Sequence, residues 1–173
     1  LLALDEIPVG QAIIDGGITP YQMPYLLRRL HLAVDVLSFK LVANNRKVLE
    51  AAFPPERFTL PGHDSVKEYD AIAAYLKTYS DRTIRNIFWS GNNYALPETL
   101  AACSTKIAYW YGADEKKDRK YNIRFIRRYF PQIQLCEFPN MAHAELVMIH
   151  PEEFYRRIME FLTHAPKDQS EES

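Results

Sequence analysis

The sequence predicts an α/β fold: a short parallel sheet interrupted by a large helical block. Three observations carry this. First, three short apolar segments, Gln11–Asp15 (QAIID), Lys106–Tyr111 (KIAYWY) and Ile133–Phe138 (IQLCEF), each run into turn formers, namely Gly16-Gly17, Gly112 and Pro139-Asn140. Strands of a parallel sheet covered on both faces read this way. Second, an amphipathic helical pattern separates the last two segments, which makes them a βαβ unit with parallel strands. Third, the stretch from Tyr21 to Ser104 holds no convincing strand, so the block between the first two strands is helical.

Within that block, Tyr21 to Phe53 reads as one long helix or two. Leu26, Leu30, Val34 and Leu37 recur at helical spacing, and Asn44-Asn45 is a candidate break. Pro54-Pro55 and Pro61-Gly62 bound a loop. Ser65 and Glu68 are spaced as a capping box ahead of a helix carrying Tyr69, Ile72, Leu76 and Tyr79. A shorter helix with Ile84, Ile87 and Phe88 ends at Gly91, and Pro97 opens another turn. An insertion of this length between two strands of one sheet is usually functional.

The second strand leads into a helix over roughly residues 116–130. Ile123, Ile126 and Phe130 line its apolar side; Lys117, Arg124, Arg127 and Arg128 form a solvated face, and Pro131 ends it. The third strand leads to a helix over roughly 151–163, which Pro151 opens. Glu152 and Glu153 occupy its first turn, and Phe154, Ile158 and Leu162 form its stripe. Residues 167–173 are a polar tail.

The 173 residues are 47% hydrophobic and 25% charged, enough for one domain with its own core. A formal net charge of −1 gives no reason to expect nucleic acid or an anionic membrane as a partner. No apolar run approaches the roughly 20 residues of a membrane span. Leu1 to Leu4 is too short for a signal peptide and has no basic residues before it. The two cysteines, Cys103 and Cys136, are far apart and outside any C-x-x-C pair. They read as reduced thiols in a cytoplasmic protein.

Two strand ends carry residues suited to chemistry. Tyr111-Gly112-Ala113-Asp114-Glu115 delivers two carboxylates at a strand's carboxyl end, the edge where open α/β sheets place ligands. Asn140-Met141-Ala142-His143-Ala144-Glu145 follows the next strand. If the two strands are neighbours, an acid meets His143, and a carboxylate that fixes an imidazole's tautomer is the supporting half of a nucleophile–base–acid triad. The order, acid then histidine, agrees. His31, His63, His150 and His164 have no partner by spacing and read as surface or capping residues. No histidine or cysteine pair sits at a metal-ligand spacing with a third candidate nearby, so neither a metal nor a cofactor is expected.

From Lys106 to Leu162 the sequence resembles the end of an α/β-hydrolase: a strand, a G-x-x-acid turn, a helix, a strand, an N-M-x-H loop and a final helix, in that order. Ile13-Ile14-Asp15-Gly16-Gly17 resembles the strand before the lid of that superfamily, and Leu1 to Gly10 the tail of the helix after its nucleophile. Within the superfamily the chain is most similar to bacterial lipases and esterases with a helical lid. The resemblance implies the C-terminal portion of the fold, with about three parallel strands. Residues 1–20 would end the post-nucleophile helix and supply a core strand. Residues 21–104 would form the lid, 105–165 the core segment with acid and histidine, and 166–173 the tail.

Carried over by position, His143 is the general base and Glu115 the acid. Most members have Asp there, which leaves Asp114 as a substitute and Asp15 as a weaker one. Phe88, Trp89 and Tyr94 of the lid would meet the substrate, a small-molecule ester or other acyl compound, although Phe88 is expected to fill the lid's own core. No G-x-S-x-G occurs. The nucleophile and the oxyanion-hole loop are expected upstream of Leu1, so this chain alone would be inactive. Its open sheet edge beside residues 11–15 would invite self-association. Two other classes compete. Ile13–Gly17 is similar to the glycine turn of methyltransferases but lacks the third glycine. A non-catalytic interaction module on the same fold is the other.

Overall fold

The computed structural model describes residues 9–20, 22–95 and 105–163. In chain order these form β1 (Gln11–Asp15), α1 (Tyr25–Asn44), α2 (Arg46–Ala52), α3 (Pro55–Phe58), α4 (Ser65–Leu76), α5 (Asp81–Asn92), β2 (Lys106–Gly112), α6 (Lys116–Tyr129), β3 (Gln134–Phe138), α7 (Glu145–Ile149) and α8 (Pro151–Thr163). The chain divides into two compact units. One comprises the sequence up to Gly17 and from Leu96 onward; the other is Ile18–Ala95.

The first unit holds a three-stranded sheet in the order β1-β2-β3. Both pairings are parallel, with Asp15 opposite Trp110 and Gly112 opposite Phe138. Each strand lies where the sequence places it, to within one residue. The central strand shows why. Side chains alternate along a strand, so a strand buried on both faces must be apolar throughout. On one face of β2, Ala108 and Trp110 pack with Phe138, Leu146 and Phe161. On the other face, Tyr109 and Tyr111 pack with Ile126, and Ile123 and Phe130 close over them. Each large side chain buried in this way stabilises the fold by about 1.5–3 kcal/mol.

The stripe of α8 differs by one residue from the expectation. Phe154, Ile158 and Phe161 face the sheet, whereas Leu162 is 47% exposed. At 100° per residue, position 161 lies about 20° from position 154 around the helix and position 162 lies about 80° away. The helix period thus selects Phe161. Two short elements were not apparent in the sequence: α7, and a single 3-10 turn over Ala113–Glu115.

The second unit is helical wherever it has regular structure among the described residues. Asn45 separates α1 from α2, and its side chain accepts from the N–H groups of Lys47 and Val48. That settles the choice between one helix and two. The cap of α4 is Asp64 and not Ser65: the Asp64 carboxylate accepts from Val66 N and Lys67 N. Ser65 is the first helical residue, and the Glu68 carboxylate pairs with His63 instead of closing a capping box. The core of this unit contains Leu49, Phe58, Tyr69 and Ile84. The α1 stripe lies outside that core, since Leu26, Leu30, Val34 and Leu37 are 51–78% exposed.

Leu1 to Pro8, the turn expected at Pro97, Cys103 and the tail from His164 lie outside the described residues. Cys136 is a half-buried free thiol, which burial holds above the usual thiol range.

Candidate active site

Because the strands are parallel, their carboxyl ends share one edge. β1 ends there at Asp15, β2 at Gly112 and β3 at Phe138. The turns that follow them supply the candidate site, and Gly16, Gly17 and the loops after β2 and β3 belong to the sheet unit.

The loop after β2 packs directly against the loop after β3. Gly112 has an ordinary φ of −73°, so its requirement is space. A β-carbon there would come within 2.1 Å of the Met141 carbonyl oxygen. Asp114 N–H donates to that same oxygen at 3.1 Å and ties the loops together. The 3-10 turn then carries the Glu115 side chain back over the strand end. Its Oε1 accepts from Gly112 N–H at 3.0 Å. This turn buries Glu115 and leaves Asp114 exposed.

The His143 loop is held at both ends. Asn140 and Ala144 adopt left-handed backbone, with φ of 56° and 60°. Asn tolerates this conformation, whereas in Ala144 it costs on the order of 1–2 kcal/mol. Such strain persists only where the surroundings enforce it, and it concentrates at functional sites. Here the buried Glu145, the first residue of α7, reaches back to accept from Ala142 N–H through Oε2 at 2.8 Å and so ties the loop to the helix start.

These constraints bring His143 Nδ1 to 3.1 Å from Glu115 Oε2. The carboxylate is 8% exposed and the imidazole 50%. The same Oε2 accepts from Arg119 Nε at 2.6 Å, and Arg119 Nη2 lies 3.2 Å from His143 Nδ1. Burial pushes the Glu115 carboxyl up. The bonds from His143, Arg119 and Gly112 N–H, with the Arg119 charge, outweigh burial and hold it at about 2.

The third wall is the turn after β1. Gly16 has a φ of +54°, and a β-carbon on it would lie 2.5 Å from both Cε1 and Nδ1 of His143. Tyr109 OH donates to Gly17 O at 2.7 Å, and Asn122 Nδ2 reaches the same oxygen at 3.4 Å. Burial pushes the Tyr109 hydroxyl up to about 12, so it stays a donor. Asp15 stands beside this wall. Burial raises its carboxyl above the usual range, opposed by the nearby His143 and Arg119 and assisted by Glu115.

Of the candidate site residues, the structure brings His143 and Glu115 together. Asp114 is exposed beside them, and Asp15 is within electrostatic range. Phe88, Trp89 and Tyr94 belong to the helical unit. Phe88 packs edge-on against Phe39 at 6.2 Å, Trp89 is half-buried, and Tyr94 OH donates to Ile18 O at 3.3 Å. Arg119 escaped the sequence reading, although Glu115 and Arg119 have the i, i+4 spacing at which a helix pairs opposite charges. The seat of His143 on Gly16 had no local signal. Among the described residues, no group of three or more His, Cys, Asp or Glu could hold a metal ion, and no helix is long and apolar enough to cross a membrane.

When Nδ1 carries its proton toward the carboxylate, Nε2 is the nitrogen with a free lone pair for proton transfer.

No family model matches the sequence, and no curated protein matches it. Solved structures do. The chain is similar to an alpha/beta hydrolase family protein from Desulfitobacterium hafniense, with a TM-score of 0.61 and 17% identity over 91% of this chain and 61% of the other. It is similar to MenH from S. aureus, with a TM-score of 0.60 and 16% identity over 93% of this chain and 61% of the other. A structure from a study of carboxylesterases of Nitrososphaera gargenis gives a TM-score of 0.55 and 16% identity over 89% and 56%. The chain thus spans about three fifths of the length of the solved structures it matches. Three parallel strands in this order, with these structural relatives, show that the chain has the fold of an α/β-hydrolase over the part it shares with them.

Proposed function

We propose that this chain supplies the base and the acid of an α/β-hydrolase that cleaves esters or related acyl compounds through a nucleophile–histidine–acid triad. His143 is the general base and Glu115 the acid that orients it. The observation that carries the reading is the contact of His143 Nδ1 with the buried, ionised Glu115 at 3.1 Å on the carboxyl edge of a parallel sheet. The strained backbone at Ala144 and the backbone-to-backbone packing at Gly112 support it, because they fix a histidine that would otherwise be mobile. So does the likeness in fold to an alpha/beta hydrolase family protein and to a structure from a study of carboxylesterases.

On this reading the nucleophile and the oxyanion donors come from sequence outside these 173 residues, and the chain by itself does not turn over an ester. Oxyanion donors stabilise the transition state by about 3–4 kcal/mol, and a base without a nucleophile has nothing to activate. The helical unit between β1 and β2 would act as the cap. Trp89, Tyr94 and Phe88 are its candidates for contact with an apolar acyl or alcohol group.

A second reading has one observation in its favour. The exposed stripe of Leu26, Leu30, Val34 and Leu37 on α1 suits a non-catalytic interaction module. A serine-reactive phosphonate probe separates the two. Labelling of the longest natural protein that carries this chain, lost in His143→Ala, is the expected result. Labelling that is absent favours the interaction module, and labelling indifferent to His143 overturns its assignment as the base.

A further inference from the structure

His143 Nδ1 faces two partners that make opposite demands on it. Glu115 Oε2, at 3.1 Å, is a carboxylate and can only accept, so that contact requires a proton on Nδ1. Arg119 Nη2, at 3.2 Å, is a guanidinium nitrogen and can only donate, so that contact requires a bare lone pair on Nδ1 and puts the proton on Nε2. Both cannot hold at once. The two distances are nearly equal, and the guanidinium is anchored for the contest. Its Nε already donates to Glu115 Oε2 at 2.6 Å, and the side chain is 15% exposed. Arg119 therefore spans the acid and the histidine with two neighbouring nitrogens of one planar group.

We propose that Arg119 is a positioning residue that latches the pair, fixing Glu115 with Nε while Nη2 holds His143 in the tautomer that carries its proton on Nε2. This rests on the reading of His143 and Glu115 as base and acid. In the latched state Nε2 has no lone pair to offer and the histidine is idle as a base. A swing of Nη2 off Nδ1, with the Nε bond kept, lets Nδ1–H turn to the carboxylate and frees Nε2. The third member of the pair's surroundings is thus a switch on its tautomer, in addition to its electrostatic support of the carboxylate. A glutamate at this position suits such a device, because its longer side chain leaves Oε2 in reach of both Arg119 and His143.

The test is a two-bond 15N–1H correlation spectrum of the purified chain labelled in histidine, near pH 9, where imidazoles are neutral. The wild-type chain should show His143 with its proton predominantly on Nε2. Arg119→Met, which removes both arms, should move most of that proton to Nδ1. Arg119→Lys should do the same while it keeps an ion pair to Glu115, and it decides the matter if Arg119→Met does not fold. A purely structural role would leave the tautomer unmoved. A wild-type His143 already protonated at Nδ1, or a Lys variant that keeps the proton on Nε2, overturns the latch. Adding Glu115→Ala, which removes the acceptor, to Arg119→Lys should abolish the preference for Nδ1–H. If Nδ1–H persists there, the pairing of His143 with Glu115 is what fails.

Discussion

The imidazole of His143 rests on Gly16, so close that a β-carbon there would come within 2.5 Å of Cε1 and Nδ1. The two residues are 127 positions apart, and β2 lies between their strands. The histidine therefore crosses the end of the central strand, and the wall that stops it is a glycine in left-handed backbone. Gly16→Ala should displace the ring from Glu115. It should also lower stability by about 1–2 kcal/mol for the backbone conformation alone. Urea unfolding and the His143 ring resonances report the two effects. A variant with wild-type stability and an unmoved ring would show that the turn relaxes freely.

Glu115 should make folding pH-dependent in acid. Its folded carboxyl is held at about 2, below the ordinary value of 4.5. Its ionised form therefore favours the native state, by about 3 kcal/mol at neutral pH, since one unit is 1.36 kcal/mol. This contribution is whole above about pH 4.5 and is lost as pH falls through about 2. Glu115→Gln should lose it at neutral pH and show a flatter profile between those limits. Urea midpoints measured from pH 7 down to pH 2 decide; parallel profiles for wild type and variant would mean that Glu115 is not held ionised by its partners.

The helix phase at α8 gives a sharper contrast. Phe161 is 6% exposed and Leu162 47%. Phe161→Ala should cost about 3–5 kcal/mol, and Leu162→Ala well under half of that. Equal losses would mean that α8 is rotated on the sheet.

At the start of α4, Asp64→Ala should cost about 1 kcal/mol and Ser65→Ala only tenths, because the Asp64 carboxylate caps the helix. Thermal melts of the two variants are sufficient, and a reversed order would restore Ser65 as the cap.

The sheet was legible because β2 carries an unbroken apolar and aromatic run from Ile107 to Tyr111, a pattern that suits a strand covered on both faces. The meeting of Glu115 with His143 was legible for a related reason: parallel neighbouring strands put their following loops on one edge. What stayed hidden depended on contacts that leave no local pattern. Gly16 looks like any turn glycine until the His143 ring is placed on it. Arg119 sits in a run of basic residues, and its neighbours Lys117, Lys120, Arg124, Arg127 and Arg128 show no ion pair among the described residues. The choice of Phe161 over Leu162 turns on where the helix begins, a phase that spacing by fours misses. On α1, an apolar stripe at helical spacing reads as a packed face, yet it is exposed in this chain.

The central claim is that His143, oriented by Glu115, is the base of an acyl hydrolase. Its most direct test is hydrolysis of a p-nitrophenyl ester by the longest natural protein that carries these residues, compared with its His143→Ala variant. Loss of kcat by at least about a thousandfold, with the fold intact by circular dichroism, is predicted, because a triad acts as a unit. The 173-residue chain alone should show no turnover dependent on His143. Hydrolysis by the longer protein that stays within twofold of wild type in His143→Ala would contradict the account.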